Sequence, residues 1–344
     1  MSKRTTIKDL SLATGVSITT ISQILNGKGQ RFSSETRNRV LKAKEKLNYI
    51  PNFNARNLIL KNPGTIAILV PDISNSFFST LIKGVQSIAI KNKFLPLIFN
   101  SSKNEDLERY YLNKAVERNI NGIIIASSLI NNTFIDNVLK KNKIPYLVLD
   151  QNATGEGDRI FIDDLQGGKI VADYLLSLDH RDFIVVLPKN PPRNVAARLD
   201  GFSKEINKFS SKKTSIKIFY SSLTKEGGYK AAARILKAKQ KATAIFAIND
   251  EIAVGIYRMF HEKNINIPKK FSVIGYDDIE IDQYIFPNLT SVRQPAEKIG
   301  IEATKLLIKR INNPSKEKQF VKLPVELIIR ESAQKIFRKK NHKI

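Results

Sequence analysis

TIKDLSLATGVSITTISQILN, residues Thr6 to Asn26, reads as two short helices joined by a turn. The first helical pattern runs from Ile7 to Ala13 and is closed by Thr14-Gly15, where glycine suits a left-handed cap. Ser17 is an N-cap residue type, and a second helix from Ile18 reaches Leu25 before Asn26-Gly27 stops it. Helix, glycine-containing turn and second helix make a helix-turn-helix, whose second helix is the reader of base edges. Apolar Ile7, Leu10, Ala13, Val16, Ile21, Ile24 and Leu25 supply the inner seam, which leaves Ile18, Thr19 and Gln23 outward. Glutamine pairs bidentately with adenine, and Thr or Ile methyls meet the thymine methyl. A third helix opens at Ser33-Ser34 and puts Val40, Leu41, Ala43 and Leu47 on one face. A plain three-helix bundle with a solvated outer face would share this pattern. The basic neighbours Lys3, Arg4, Lys8, Lys28, Arg31, Arg37 and Arg39 favour the DNA reader, because phosphate contacts need them around it.

Charge along the chain agrees. The 344 residues carry a formal net charge of +25, from 57 Lys and Arg against 32 Asp and Glu. Residues 1–62 hold 12 basic and 3 acidic side chains, and the remaining 282 hold 45 and 29, so the first segment is more than twice as positive per residue. That asymmetry points to a polyanion at the N-terminal end, although a lysine-rich composition would make the rest basic with no partner at all.

Beyond Gly64 the pattern changes to apolar strand runs at 66–70, 95–99, 122–126, 146–149, 183–187, 216–220, 244–248 and 271–275. Helical stretches near 77–92, 105–119, 131–142, 164–179, 197–209, 226–239, 250–264 and 296–312 lie between or after them. Continuous apolar strands separated by helices predict parallel sheets covered on both faces. The economical reading is two doubly wound lobes of similar size, with a cleft between them for a small ligand. The expected fold is therefore α/β, with a small all-α helix-turn-helix head (1–50), a hinge helix and linker (51–63), and a two-lobed doubly wound body (64–344).

Several segments together resemble the lactose/galactose-repressor (LacI/GalR) family of bacterial transcription regulators. They are the opening Thr6-Ile7-Lys8-Asp9-Leu10, Ala13-Thr14-Gly15-Val16-Ser17, Thr20-Ile21-Ser22, Leu25-Asn26-Gly27, Thr36-Arg37 with Arg39-Val40, and Leu47-Asn48-Tyr49-Ile50-Pro51-Asn52. Gln23 departs from the arginine many members carry, and the loop Gly27 to Phe32 is slightly longer than in some. The resemblance spans the chain and implies a body of the periplasmic sugar-binding-protein type. It also implies that residues 51–60, a weak helix by composition, order when two subunits meet on the operator, with Leu58 wedged into the minor groove. The candidate DNA contacts are Thr6, Ile7, Ser17, Ile18, Thr19, Thr20, Gln23, Asn26 and Arg31 in the head, and Asn52, Ala55 and Leu58 in the hinge. The candidate effector contacts, again by resemblance, are Phe77, Phe78, Asp150, Asn194, Arg198, Asn249, Asp277 and Gln294, with Arg198 as the fork that grips hydroxyls or a carboxylate. Leu223 stands where relatives often carry an aromatic ring. Carboxylates and amides at strand ends suit a polyol, and none needs a shifted pKa.

Other chemistries lack their residues. Cysteine is absent, and His180, His261 and His342 lie far apart, so thiol nucleophiles, disulfides, Cys/His zinc sites and a histidine triad are excluded or nearly so. No nucleotide-binding, metalloprotease or nucleophile-elbow motif accompanies the strands, so no enzyme, catalytic residue, metal or cofactor is expected. No run of about eighteen apolar residues predicts a membrane span, and the basic start leads into no apolar signal core, so a cytoplasmic protein, nucleoid-associated on its operator, is expected. One recognition helix binds a half-site weakly, which calls for a homodimer on a pseudo-palindromic operator. The tail from Phe337 to Ile344 has no apolar heptad for a coiled coil. The expected function is a repressor of a sugar-utilisation operon, its partners double-stranded operator DNA and a small sugar, ribose or another saccharide. The alternatives are a sugar-binding protein without a DNA role and a corepressor-dependent global regulator.

Overall fold

A computed structural model describes residues 5–51, 64–127, 132–149, 157–208 and 214–336. Contacts divide the chain into two compact units, Met1–Pro63 and Gly64–Ile344. The hinge candidates Asn52, Ala55 and Leu58, the effector candidate Asp150 and the tail from Phe337 lie outside the described residues.

The first unit contains α1 (Ile7–Thr14), α2 (Ile18–Leu25) and α3 (Ser34–Lys46). Thr6 and Asp9 form a reciprocal capping box at the start of α1, and Gly15 ends it at φ 66°. Ser17 and Ser33 cap the other two helices by accepting from the backbone N–H of Thr20 and Thr36. The shared core is Leu10, Val16, Ile21, Ile24, Val40 and Tyr49. Two expected core positions are corrected: Ala13 and Leu41 face outward. At i+4 from Leu10, Thr14 takes the inner place instead of Ala13, its hydroxyl donating to the Leu10 carbonyl at 2.7 Å so that its methyl can be buried. Leu41 lies one residue, about 100° of helix, from the buried Val40.

The second unit holds two six-stranded sheets. The first lobe contains β1 (Thr65–Val70), α4 (Ser76–Lys91), β2 (Leu95–Asn100), α5 (Glu105–Glu117), β3 (Gly122–Ile125), α6 (Asn132–Ile135, continued by a π turn Asp136–Lys140), β4 (Tyr146–Leu149) and β5 (Asp158–Ile162). The second contains α7 (Asp164–Ser177), β6 (Asp182–Leu187), α8 (Arg193–Lys208), β7 (Ser215–Tyr220), α9 (Lys225–Lys237), β8 (Ala244–Ala247), α10 (Asp250–Glu262), β9 (Ser272–Asp277) and β10 (Thr290–Arg293). The chain then returns to the first lobe as α11 (Ala296–Asn312) and β11 (Phe320–Leu323), and ends in the second as β12 (Glu326–Ile328). Strand orders are β11-β5-β4-β3-β1-β2 and β12-β10-β9-β8-β6-β7, parallel except for β12 against β10.

The lobes are therefore not the two halves of the sequence. The two expected lobes are interleaved by the strands β5, β10, β11 and β12, none of which was anticipated, and by α11, which packs on α4 of the first lobe. A bidentate ion pair anchors that return: Arg310 donates to both oxygens of Asp158 at 2.7 and 2.9 Å, and the Asp158 side chain is 1% exposed. No helix among the described residues is long and apolar enough to cross a membrane.

Three helix pairs, α4 with α11, α7 with α8 and α9 with α10, cross with a glycine contributed by each member. A Cβ at Gly84 would lie 2.1 Å from the Glu297 carbonyl oxygen, one at Gly168 1.9 Å from that of Arg198, and one at Gly228 2.1 Å from that of Ile252. Gly300, Gly201 and Gly255 answer from the opposite helices. Because the obstruction is backbone, nothing nearby can yield. Gly168→Ala is expected to destabilise the body by about 1–3 kcal/mol through overpacking, seen as a fall of several degrees in melting temperature, while a serine at the exposed Asp173 of the same helix leaves it unchanged.

Candidate functional site

A cavity of about 290 Å³ lies between the two lobes of the body, at the lower end of small-molecule pockets. Its lining comes from the carboxyl ends of strands in both sheets, where doubly wound folds bind ligands. The first lobe offers a mostly apolar wall of Phe77, Phe78, Leu81, Ala126, Leu149, Ile160, Ile162 and Ile299. The second offers Asn194, Arg198, Asn249, Asp277 and Gln294, with Leu223. Every effector candidate among the described residues thus meets at one cavity. Phe77 and Phe78 pack edge to face, with centroids 5.1 Å apart at 84°.

Arg198 is the centre of the polar wall. Its Nε donates to Asp164 Oδ1 at 2.8 Å and its Nη1 to the Ile248 carbonyl at 2.9 Å, while Nη1 stands 3.7 Å from Asp277 Oδ1. The guanidinium lies 3.7 Å over the Tyr276 ring. Tyr276 donates its hydroxyl to the same Asp164 oxygen at 3.0 Å, which it reaches because residue 167 is glycine: a Cβ there would come within 2.3 Å of the hydroxyl. Burial is the largest single influence and works against the Arg198 charge, but Asp164, Tyr276 and Asp277 together outweigh it and the pKa is raised.

Asp277 differs from its expected unshifted state. Burial, reinforced by the nearby Asp250 carboxylate, outweighs the attraction of Arg198 and pushes Asp277 up to about 8. Gln294 donates Nε2 to Asp277 Oδ1 at 2.5 Å. Asn249 caps α10, its Oδ1 accepting from the Ile252 N–H at 3.1 Å, so its amide N–H₂ remains to serve the cavity. Asn194 Oδ1 is buried with no partner among the described residues, a polar atom that a ligand hydroxyl would satisfy.

Of the polar lining, sequence reasoning missed Asp164, Lys103 and Ser127, while Asp72 and Asn75 lie in the stretch 72–78 that the family resemblance marks for the effector but were not singled out as contacts. The strand that delivers Asp164, β5, breaks its apolar run with Asp158 and Arg159. Lys103 stands 3.4 Å from Asp72 at the first-lobe rim. His180 is a core histidine, bonded to Thr243 and the Gln334 carbonyl and lowered to about 4 by burial. Among the described residues no group of three or more acidic or histidine side chains is placed to hold a metal.

In the head, Thr6, Ser17, Ile18, Thr19, Asn26 and Arg31 are exposed, and Ile7, Thr20 and Gln23 half-buried. Ser17 donates to Thr20 Oγ1 at 2.9 Å, and Asn26 Nδ2 to the Ser22 carbonyl at 2.8 Å. Arg31 donates to Gln23 Oε1. This bond holds the outward glutamine and a neighbouring cation together on one surface.

A basic helix-turn-helix head and a two-lobed body enclosing a small-molecule cleft define the class of ligand-responsive DNA-binding regulators. Residues 6–52 match the bacterial regulatory proteins of the lacI family, and residues 172–333 a periplasmic binding protein-like domain. Over 331 residues the chain is 30% identical to catabolite control protein A of Priestia megaterium, covering 96% of this chain and 99% of that protein. It is 29% identical to the HTH-type transcriptional repressor PurR of Vibrio atlanticus, covering 96% and 98%. A LacI family transcriptional regulator from Enterococcus faecium, solved with bound ribose, aligns at 38% identity and TM-score 0.74 over 79% of this chain and 100% of that one. The lac repressor dimer bound to operator and an anti-inducer shares the fold at TM-score 0.85 and 22% identity, over 96% of this chain and 100% of that one. The chain belongs to the LacI family and is a DNA-binding transcriptional regulator of the repressor type rather than an enzyme.

Arg198→Met strands Asp164 as an unpaired buried charge and is expected to cost about 3–5 kcal/mol. Thermal or urea melting should show Arg198→Met with Asp164→Asn recovering part of that loss; strict additivity of the two would mean the pair is not coupled.

Proposed function

We propose that the chain is a repressor of a sugar-utilisation operon that binds a pseudo-palindromic operator as a homodimer and is governed by a small neutral saccharide, ribose first. The observation that carries this reading is the charge state of the cleft. Arg198, the cation at the centre of its polar wall, is already matched by Asp164 and faced by Asp277, and Lys103 at the rim by Asp72. Among the described residues that line it, a net anion would find no cation without a carboxylate partner, whereas hydroxyls can use Asp277, Asn194, Asn249 and the remaining Arg198 N–H groups. The ribose bound by the Enterococcus faecium regulator supports the same class of ligand.

Residues 1–50 serve as the DNA-binding head, 51–63 as the hinge and 64–344 as the effector-binding and dimerisation body. The regulator works in the cytoplasm, on the nucleoid when operator-bound. Supporting a homodimer, the outer strands β2 and β7 expose Leu95, Ile98, Ile218 and Tyr220, and Phe286 is 89% exposed nearby in sequence to Tyr284 at 74%. Asn52, Ala55 and Leu58 of the hinge join the head residues as DNA contacts, and Asp150 joins the effector set.

Duplexes selected from a random pool and titrated in gel shifts, with and without ribose, test the reading. Enrichment of a palindrome whose affinity drops on adding ribose is the expected result; an increase instead would make ribose a corepressor. No preference for any palindrome over random duplex would refute it, as would failure of every sugar in a calorimetric panel to bind. Gln23→Ala is expected to relax base preference at one symmetric pair of operator positions by about 1–3 kcal/mol. Uniform weakening across sequences would assign Gln23 to a phosphate.

A further inference from the structure

The turn that follows β9 is held in an unfavourable backbone conformation. Asp277 has φ 125° and Asp278 φ 57°, angles that non-glycine residues keep only where their surroundings enforce them. The Asp278 N–H donates to Ser291 Oγ and the Ile279 N–H to Asp250 Oδ2, both at 3.2 Å. The Asp278 carboxylate receives Arg293 Nε and Arg330 Nη2, both at 2.6 Å.

Asp250 lies beneath this turn with no exposed surface. Its Oδ1 accepts from Ser291 Oγ at 2.7 Å and fits only because residue 275 is glycine, where a Cβ would stand 1.9 Å from that oxygen. Asp282 is equally buried, and the two residues meet at the Ile279 backbone, whose N–H donates to Asp250 Oδ2 at 3.2 Å and whose carbonyl accepts from the Asp282 N–H at 3.0 Å. Neither Asp282 oxygen has a hydrogen-bond partner among the described residues. Two ionised carboxylates are acceptors only and cannot satisfy each other, whereas a proton on one removes a buried charge and supplies the donor that the partnerless Asp282 oxygens lack. The charged and titratable groups facing the pair are Asp277 and Asp278, the Tyr257 hydroxyl, Glu331 and Arg330. Arg330 is taken by Asp278, so no cation remains for a second buried negative charge.

We propose that Asp250 and Asp282 share one proton at neutral pH, and that this acid pair is the clamp that holds the 277–279 turn, and with it the Asp277 carboxyl, at the cleft. Asp250 directly follows Asn249, and Asp282 lies just beyond Asp277. The shared proton therefore joins the two segments that deliver the polar wall, and Asp250 and Asp282 are positioning residues. Burial, and after it the Asp250 charge, push Asp282 up to about 11. A folded-state pKa raised above the unfolded value means stability that is present at low pH and lost as pH rises through the folded value. The clamp thus opens on the alkaline side. Its importance for effector binding rests on the function proposed above, but the proton and the clamp are measurable without any ligand.

Infrared difference spectra of the full-length wild type against Asp282→Asn should show at neutral pH a protonated-carboxyl C=O band lost in the variant, over and above the Asp277 band common to both. Asparagine keeps a donor to Asp250, so amide exchange at Asp278 and Ile279 should stay as protected as in the wild type, whereas Asp282→Ala should speed it about tenfold. The melting temperature of the wild type should fall relative to Asp282→Asn as pH climbs from 8 toward the value of about 11. Absence of the band, or Asp282→Asn and Asp282→Ala loosening the turn alike, would overturn the proposal. If Asp282→Ala does not fold, the band and the pH comparison still decide. An intact band in a wild type that binds no ribose upholds the acid pair and refutes the ribose reading.

Discussion

A guanidinium with 4% of its side chain exposed stands between two lobes only because a carboxylate 2.8 Å away comes with it. Desolvating either charge alone would cost several kcal/mol, so Arg198 of α8 and Asp164 of α7 had to be brought together by packing their helices closely. The glycine crossing at Gly168 and Gly201 provides that closeness, and Gly167 admits the Tyr276 hydroxyl as a third partner. One ion pair thereby fixes the spacing of two helices, the seat of an aromatic ring and the direction of the N–H groups left over for a ligand. Those groups are oriented before any ligand arrives, which removes an ordering cost from binding.

The two walls of the cleft divide the work of recognition. The buried directional groups Asn194, Arg198, Asn249, Asp277 and Gln294 belong to the second lobe or the segment leaving it, and most of the apolar surface belongs to the first, beside Asp72, Asn75, Lys103 and Ser127. A ligand seated on the polar wall satisfies its hydrogen bonds there whether or not the first lobe is close. It gains burial against Phe77, Phe78 and Ile160 only when the lobes are together. Since a ligand shifts a conformational equilibrium by its difference in affinity for the two states, under the reading proposed above the apolar wall would be the part of the site that converts occupancy into lobe position.

The head was legible in the sequence because its signals are local. Ser17, Ser33 and Gly15 act within one helical turn of themselves, and the apolar spacing of Leu10, Ile21 and Ile24 follows from helix geometry alone. Strands with unbroken apolar runs, such as Ile66 to Val70, were equally plain. The interleaving of the lobes was not, because β5, β11 and β12 are short, carry Arg159, Lys322 and Glu326 in their middles or ends, and owe their existence to sheet neighbours distant in sequence. Asp164 was overlooked for the same reason: its meaning comes from Arg198, 34 positions away. Asp277 was named as a contact, but its raised pKa needs the burial and the Asp250 charge that only the folded chain supplies.

Where the chain passes between lobes bears on how the cleft could signal. Asp163, between β5 and α7, has φ −80° and ψ 67°, and Pro295, between β10 and α11, has φ −77° and ψ 67°. Both match an inverse γ-turn, and at the second the Ala296 N–H donates to the Gln294 carbonyl at 2.8 Å. These two of the three passages therefore pivot on a single non-helical residue, the third being the short link from β11 to β12. Each pivot is flanked by cavity residues, Ile162 and Asp164 at the first and Gln294 at the second. A rotation of one lobe against the other would turn dihedrals one residue from groups that line the cavity, so under the reading proposed above occupancy of the cleft and the angle between the lobes would be coupled.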